Sequence, residues 1–195
     1  MELNTQTLRK TLRQRRRQVS MLSHKQSESK TAYKLIRHSI FKSSNKVGIY
    51  LHAFGEIHTQ KIIDLCFLQG KQVFLPMICN MNQQLVWVKI SRNQYYNKRF
   101  SHHPLGMKEP MASRGFHVSH LDLLIMPLLA CDPVGTRIGM GGGFYDKTLA
   151  TAPRKPIRLG LAHDFQFITQ SLHREAWDQP LDALLSPTKL LRFKR

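Results

Sequence analysis

A chain of 195 residues, 42% of them hydrophobic, carries enough apolar material for one substantial core and is expected to form a single domain over residues 1–195. Its 30 lysines and arginines against 12 acidic residues give a formal charge of +18, which suits polyanionic ligands, nucleotide or nucleic acid. No apolar run is long enough to span a membrane and no apolar segment follows the charged start as in a secretory signal, while Cys66, Cys79 and Cys131 lack metal-ligand spacing and read as buried free thiols, so a cytoplasmic location is expected.

Leu8, Leu12, Val19 and Leu22 recur at helical spacing, which predicts an amphipathic helix over residues 5–22 with arginines on its other faces. Arg13, Arg15, Arg16 and Arg17 read as a solvated face, with at most one or two reaching a ligand. Ala32, Leu35, Ile36 and Ile40 mark a second helix. Lys46–Leu51 reads as a strand, and Thr59 is placed to cap a helix carrying Ile62, Ile63, Cys66 and Phe67 that stops near Gly70. Two strands follow, Gln72–Pro76 and Leu85–Ile90. Residues 91–118, with scattered prolines and glycines, read as a long irregular region; His102 and His103 there lack a third ligand for a metal. Leu121–Ala130 is nearly unbroken apolar sequence, the mark of a strand buried on both faces. Phe144–Ala152 predicts a helix limited by Pro153, and Ile157–Ala162 a further strand before a short C-terminal section. Repeated strand–helix alternation argues for a three-layer α/β/α domain with a largely parallel, Rossmann-like sheet.

Between the buried strand and its helix lies the stretch from Asp132 to Asp146, where Gly139, Gly141, Gly142 and Gly143 fall within five positions. Glycine costs about 0.5–1 kcal/mol relative to alanine inside regular structure, so four together imply backbone that must come close to something. Strand, glycine loop and helix is the arrangement in which backbone N–H groups meet phosphate oxygens. Arg137 fits a charge-assisted bond to the same phosphate, and Asp146 fits the magnesium that accompanies a nucleotide. Neither standard nucleotide fingerprint is present. A tight glycine turn packing helix on strand is the purely structural alternative.

The segment Arg137-Ile-Gly-Met-Gly-Gly-Gly-Phe-Tyr-Asp146 resembles the signature of the 5-formyltetrahydrofolate cyclo-ligase family, also called methenyltetrahydrofolate synthetases. The resemblance extends over almost the whole chain. It takes in Leu8-Arg9 and the arginine run to Arg17, Gly48-Ile-Tyr-Leu51, Gly55-Glu56-Ile-His-Thr59, Gly70–Pro76, Gly106-Met-Lys-Glu-Pro110, Asp122–Pro127 and Trp177-Asp-Gln-Pro180. It implies the same α/β fold and an ATP- and Mg2+-dependent ring closure of 5-formyltetrahydrofolate, mono- or polyglutamylated, by a monomer. It further implies that Arg9, Arg137 and the backbone of Gly139, Gly141, Gly142 and Gly143 bind ATP, that Phe144 and Tyr145 line the nucleotide and substrate pockets, and that Glu56 contacts the folate pterin. Asp146 and Asp178 match magnesium ligands, although Asp182 lies only four residues from Asp178. Arg137 and Asp146 are the expected catalytic pair.

Two positions depart from the family pattern. Thr5 stands where some relatives have an ATP-binding lysine, and Gly142 where some have a lysine in the loop. Lys10 or Arg13 could replace the first, though helix geometry sets them elsewhere. The charge surplus keeps a second class open, a basic nucleic-acid-binding protein on the same fold, but no helix-turn-helix, zinc-finger or RNP pattern occurs and no specific nucleic acid is expected. The irregular stretch 78–118 also leaves room for a paralogue acting on another substrate. Trp87 and Trp177 are expected in the core or at the pocket rim.

Overall fold

The computed structural model describes residues 4–194. Asn4 caps α1 (Thr5–Arg17) by accepting from the Gln6 and Thr7 amides. The single helix expected over 5–22 is two helices: α1 ends at Arg17, and Ser20 accepts from the Ser23 amide to start α2 (Met21–Arg37). A good N-cap interrupts a periodicity that apolar spacing alone would have continued. Ile40, expected in the second helix, lies in the separate turn α3 (Ser39–Lys42).

Then come β1 (Lys46–Ile49), α4 (Gln60–Leu68), β2 (Gln72–Cys79) and β3 (Gln84–Ile90). Thr59 sits at the start of α4 but does not cap it; its hydroxyl donates to Tyr50 O at 2.9 Å, while Glu28 of α2 accepts from the Lys61 amide at 3.0 Å. Residues 91–118 are more ordered than expected. A Ser91/Gln94 capping box starts α5 (Arg92–Tyr96), and β4 (Phe100–His102) pairs with β5 (Lys108–Pro110) as a small hairpin. The rest is β6 (Leu123–Pro127), the two-residue ladder of β7 (Ala130–Cys131) and β8 (Arg137–Ile138), α6 (Phe144–Ala150), β9 (Ile157–Leu161), β10 (Ala183–Leu185) and β11 (Leu190–Arg192).

The main sheet has the order β11-β10-β9-β6-β1-β2-β3. Its five inner strands are parallel, and β3 and β11 join the two edges antiparallel. Alternate residues of β6 point to opposite layers. Leu123 and Ile125 pack with Leu35, Phe41, Ile62 and Ile63 from α2, α3 and α4, whereas Leu124 and Met126 pack with Trp87 and with Leu149 of α6. That double burial accounts for the unbroken apolar run and gives the three-layer α/β/α domain. α1 belongs to neither layer. Its Leu12 packs with Leu129, Ala130, Ile138 and Leu172 beyond the carboxyl ends of the strands.

Cys66 and Cys131 are buried, and burial pushes both thiols up to about 12; Cys79 is only partly buried, against expectation. Trp87 is fully buried and Trp177 is 67% exposed. Among the described residues no helix is long and apolar enough to cross a membrane. Ile125, fully buried at the centre of the sheet, sets the scale of core stability: Ile125→Ala should lower the unfolding free energy by about 2–5 kcal/mol in a denaturant titration.

Candidate active site

In the parallel part of the sheet β2 lies on one side of β1 and β6 on the other, so the winding reverses between β1 and β6. Doubly wound sheets bind ligands beyond the carboxyl ends of the strands at that reversal. Two loops leave the sheet there. Residues 50–59 follow β1, and the chain after β6 runs through the β7–β8 ladder into the glycine loop. α1 lies across both.

The basic face of α1 holds the glycine loop by its carbonyls. Arg9 Nε donates to Gly139 O at 3.2 Å and Arg13 Nη2 to Met140 O at 3.0 Å. Arg13 is one turn beyond Arg9 and so reaches the same loop, which puts a cation there despite Thr5. All four glycines are needed for definite reasons. Gly141 and Gly143 have φ +107° and +65°, and a Cβ would lie 2.9 Å from Arg137 Nη1 at Gly139 and 2.6 Å from the Phe144 ring at Gly142. Met140, Gly141 and Gly142 are exposed, so the loop keeps an open side while its carbonyls are engaged by α1.

Arg137 and Asp146 meet directly. Arg137 Nη2 donates to both Asp146 carboxylate oxygens at 2.8 and 2.7 Å, and the Gln179 amide adds a bond to Oδ1 at 3.1 Å. The Arg137 side chain is 3% exposed and that of Asp146 20%, so the arginine faces inward and the carboxylate keeps a solvent side. The Arg137 guanidinium also lies 5.7 Å from the centre of the Tyr145 ring. Phe144 packs on the α6 layer of the core. Asp178 neighbours Gln179, the residue whose amide touches Asp146, and its own Oδ2 accepts from the Glu175 amide at 2.9 Å. Asp182 is engaged elsewhere: its Oδ2 accepts from the Arg158 amide at 2.8 Å, between β9 and β10.

Across the crevice, Glu56 is 9% exposed. Its Oε2 accepts from the Ala53 amide at 3.0 Å and its Oε1 lies 3.6 Å from Arg16 Nη1. Burial pushes the carboxyl up to about 7 in spite of both partners. Burial, and after it the nearby Glu56 charge, raises the phenols of Tyr50 and Tyr145; Tyr145 also has the Arg137 guanidinium over its ring. Arg16 also belongs to this site. Expected on a solvated face, it is 1% exposed and donates to Phe54 O at 2.9 Å and Leu128 O at 3.3 Å. Arg9, Arg13 and Arg16 stand four and three apart, one stripe of a helix, and that spacing was the available signal.

Behind the Glu56 loop, three histidines stack and a fourth meets them edge-on. The ring of His58 lies 4.2 Å from that of His52 and 4.6 Å from that of His24, and His24 meets His163 edge-on at 5.3 Å. His163 Nε2 bonds to Gly55 O at 3.2 Å. Burial lowers His24, and lowers His52 and His163 to about 4.

No group of three or more His, Cys, Asp or Glu converges as a metal cage among the described residues. Magnesium asks for less, since one or two carboxylates suffice when phosphate oxygens and water complete its shell. Asp146 keeps a solvent side, and Asp178 adjoins the Gln179 amide that bonds it.

The chain matches the profile of the 5-formyltetrahydrofolate cyclo-ligase family over residues 2–187. It is 32% identical over 184 residues to the 5-formyltetrahydrofolate cyclo-ligase of Escherichia coli (strain K12), covering 92% of this chain and 98% of that one. The enzyme of the same name from Haemophilus influenzae is 30% identical over 190 residues, covering 92% and 96%. Among solved structures, the 5,10-methenyltetrahydrofolate synthetase of Aquifex aeolicus superposes with a TM-score of 0.83 at 25% identity, over 99% of this chain and 94% of that one.

The stacked histidines give stability a definite pH dependence. Their folded values lie below the ordinary 6.5, so between pH 6.5 and 4 the unfolded chain takes up protons that the folded one refuses, and stability falls with pH. Glu56 acts oppositely: its folded value lies above the ordinary 4.5, so its contribution is lost as pH rises from 4.5 to 7. Three imidazoles outweigh one carboxyl. The thermal midpoint should therefore climb from pH 4.5 to about 6.5, and His163→Gln should flatten the climb; a midpoint falling over that range would contradict the assignment.

Proposed function

The chain belongs to the 5-formyltetrahydrofolate cyclo-ligase family, and we propose that it closes 5-formyltetrahydrofolate to 5,10-methenyltetrahydrofolate while converting ATP to ADP and phosphate. The observation that carries this reading is the pairing, at one reversal of the sheet, of an open glycine loop with a buried carboxylate on the facing loop.

The chemistry explains why both are needed. A formamide carbonyl is a weak electrophile and its oxygen a poor leaving group. Transfer of the γ-phosphoryl group to that oxygen turns it into phosphate on an iminium-like carbon. N10 then attacks the carbon, the C–O bond breaks, phosphate departs and the five-membered ring is closed. No side chain need act as nucleophile. The protein's task is positioning and charge neutralisation, which is how phosphoryl transfer is generally catalysed.

The residues divide that task. The exposed backbone of Met140, Gly141 and Gly142 receives the phosphates, with Arg9 and Arg13 supplying positive charge behind the loop. Arg13 takes the part of the lysine that Thr5 replaces. Arg137 fixes the Asp146 carboxylate; Asp146 and Asp178 would hold the magnesium ion of the nucleotide, which would neutralise phosphate charge. Glu56 receives the paired N–H donors of the pterin, for which an ionised carboxylate has matching acceptors. Tyr145 lines the pocket where formyl group and γ-phosphate meet, and Phe144 braces it from the core side.

Mixing the protein with 5-formyltetrahydrofolate should give the absorbance of methenyltetrahydrofolate with Mg-ATP and none without it. Folded protein that forms no product would refute the folate assignment. Asp146→Asn should lower turnover by about 100-fold or more in protein that still folds, as circular dichroism would show; near-normal turnover would remove Asp146 from the site.

A further inference from the structure

We propose that Arg16 is a positioning residue that locks the folate-binding loop to the nucleotide-binding loop, so that occupation of one favours occupation of the other. The proposal rests on the reading of the two loops given above.

Every partner of the Arg16 guanidinium lies on one of those loops or at the strand end between them. Nε donates to Phe54 O at 2.9 Å, Nη1 donates to Leu128 O at 3.3 Å and lies 3.6 Å from Glu56 Oε1, and Nη2 lies 3.7 Å from Met140 Sδ. Phe54 and Glu56 belong to the loop after β1, Leu128 follows β6, and Met140 is in the glycine loop. The backbone of Arg16 is engaged as well. A Cβ on Gly55 would lie 2.4 Å from Arg16 O, so this glycine, at φ +76°, lets the folate-binding loop rest directly on the end of α1. A shift of α1 therefore moves both loops together.

Stability alone does not explain such a residue. A buried ion pair is on balance no better than well-packed apolar side chains of similar volume, because removing two charges from water offsets their attraction. Leucine or methionine at position 16 would satisfy packing against Leu128 and Met140. What the guanidinium adds is a fork whose separate nitrogens address separate loops, together with a positive charge beside Glu56. The groups facing the Glu56 carboxylate are Arg16 from α1, Tyr50 at the end of β1 and Tyr145 from α6, with His163 bonded to the neighbouring Gly55 carbonyl. Arg16 is the cation among them that opposes protonation of Glu56.

The experiment compares the full-length wild type with Arg16→Met and Arg16→Lys. It reads KM for 5-formyltetrahydrofolate as a function of pH, and the affinity for Mg-ADP with and without 5-formyltetrahydrofolate. Wild type should bind Mg-ADP more tightly when the folate is present. Arg16→Met should raise KM about tenfold at neutral pH, the loss expected for a charged hydrogen-bonding partner, with a smaller penalty in alkaline solution where Glu56 ionises unaided. Its Mg-ADP affinity should no longer respond to folate. Arg16→Lys should restore the wild-type pH profile, since charge returns, but not the coupling, since the fork is missing. Should Arg16→Met fail to fold, Arg16→Lys carries the test alone. A wild type without coupling, or Arg16→Lys coupled like wild type, would overturn the proposal. Failure of wild type to turn over or bind the folate would instead strike at the functional reading itself.

Discussion

The arrangement of this site depends on one buried cation. Arg16, 1% exposed, stands where the sheet reverses its winding, and each of its donors must find an acceptor because water cannot supply one. It finds two carbonyl acceptors, Phe54 O and Leu128 O, and an ion-pair partner in Glu56, on the two segments that leave β1 and β6. The crevice that a doubly wound sheet leaves open at this point is thereby given fixed walls, with α1 as the brace across them. Arg9 and Arg13 extend the same stripe to the glycine loop, so a single helix face sets the geometry of both walls.

Two ion pairs organise the crevice and differ in kind. Arg137 and Asp146 meet at 2.7 Å with the carboxylate partly open to solvent, an arrangement that holds the Asp146 carboxylate in one orientation. Arg16 and Glu56 stand 3.6 Å apart in a more enclosed place, where desolvation works against the carboxylate and brings it near neutrality of pH. A ligand that donates hydrogen bonds to Glu56 would favour its ionised form and relieve that tension. Burial of the carboxylate is thus a cost in the free protein that such a ligand would recover.

Much of this was legible in the residues. The apolar run from Leu121 to Ala130 announced a strand buried on both faces, and the glycines at 139 and 141–143 announced a loop whose backbone needs room; positive φ at Gly141 and Gly143 and the close approaches at Gly139 and Gly142 account for all four. Three features were not legible, for physical reasons. Ser20 splits the first helix because a cap bond is a local matter that apolar spacing across residues 5–22 does not register. Arg16 looked like one of several solvated arginines because burial of a charge is decided by what packs over it, here loops distant in sequence. The histidine stack joins residues from α2, the loop after β1 and the segment after β9, and no local pattern links positions 24, 52, 58 and 163. Asp178 and Asp182, which the sequence barely separates, each accept from a backbone amide, of Glu175 and of Arg158.

The central claim is that the two walls bring a formyl oxygen and a γ-phosphate together so that the oxygen leaves as phosphate. The most direct test is to supply 5-formyltetrahydrofolate labelled with 18O in the formyl group and to analyse the phosphate released with the methenyl product. The account predicts one labelled oxygen in each phosphate formed. Unlabelled phosphate accompanying ring closure would contradict it, because the formyl oxygen would then have left by a route that these loops do not explain.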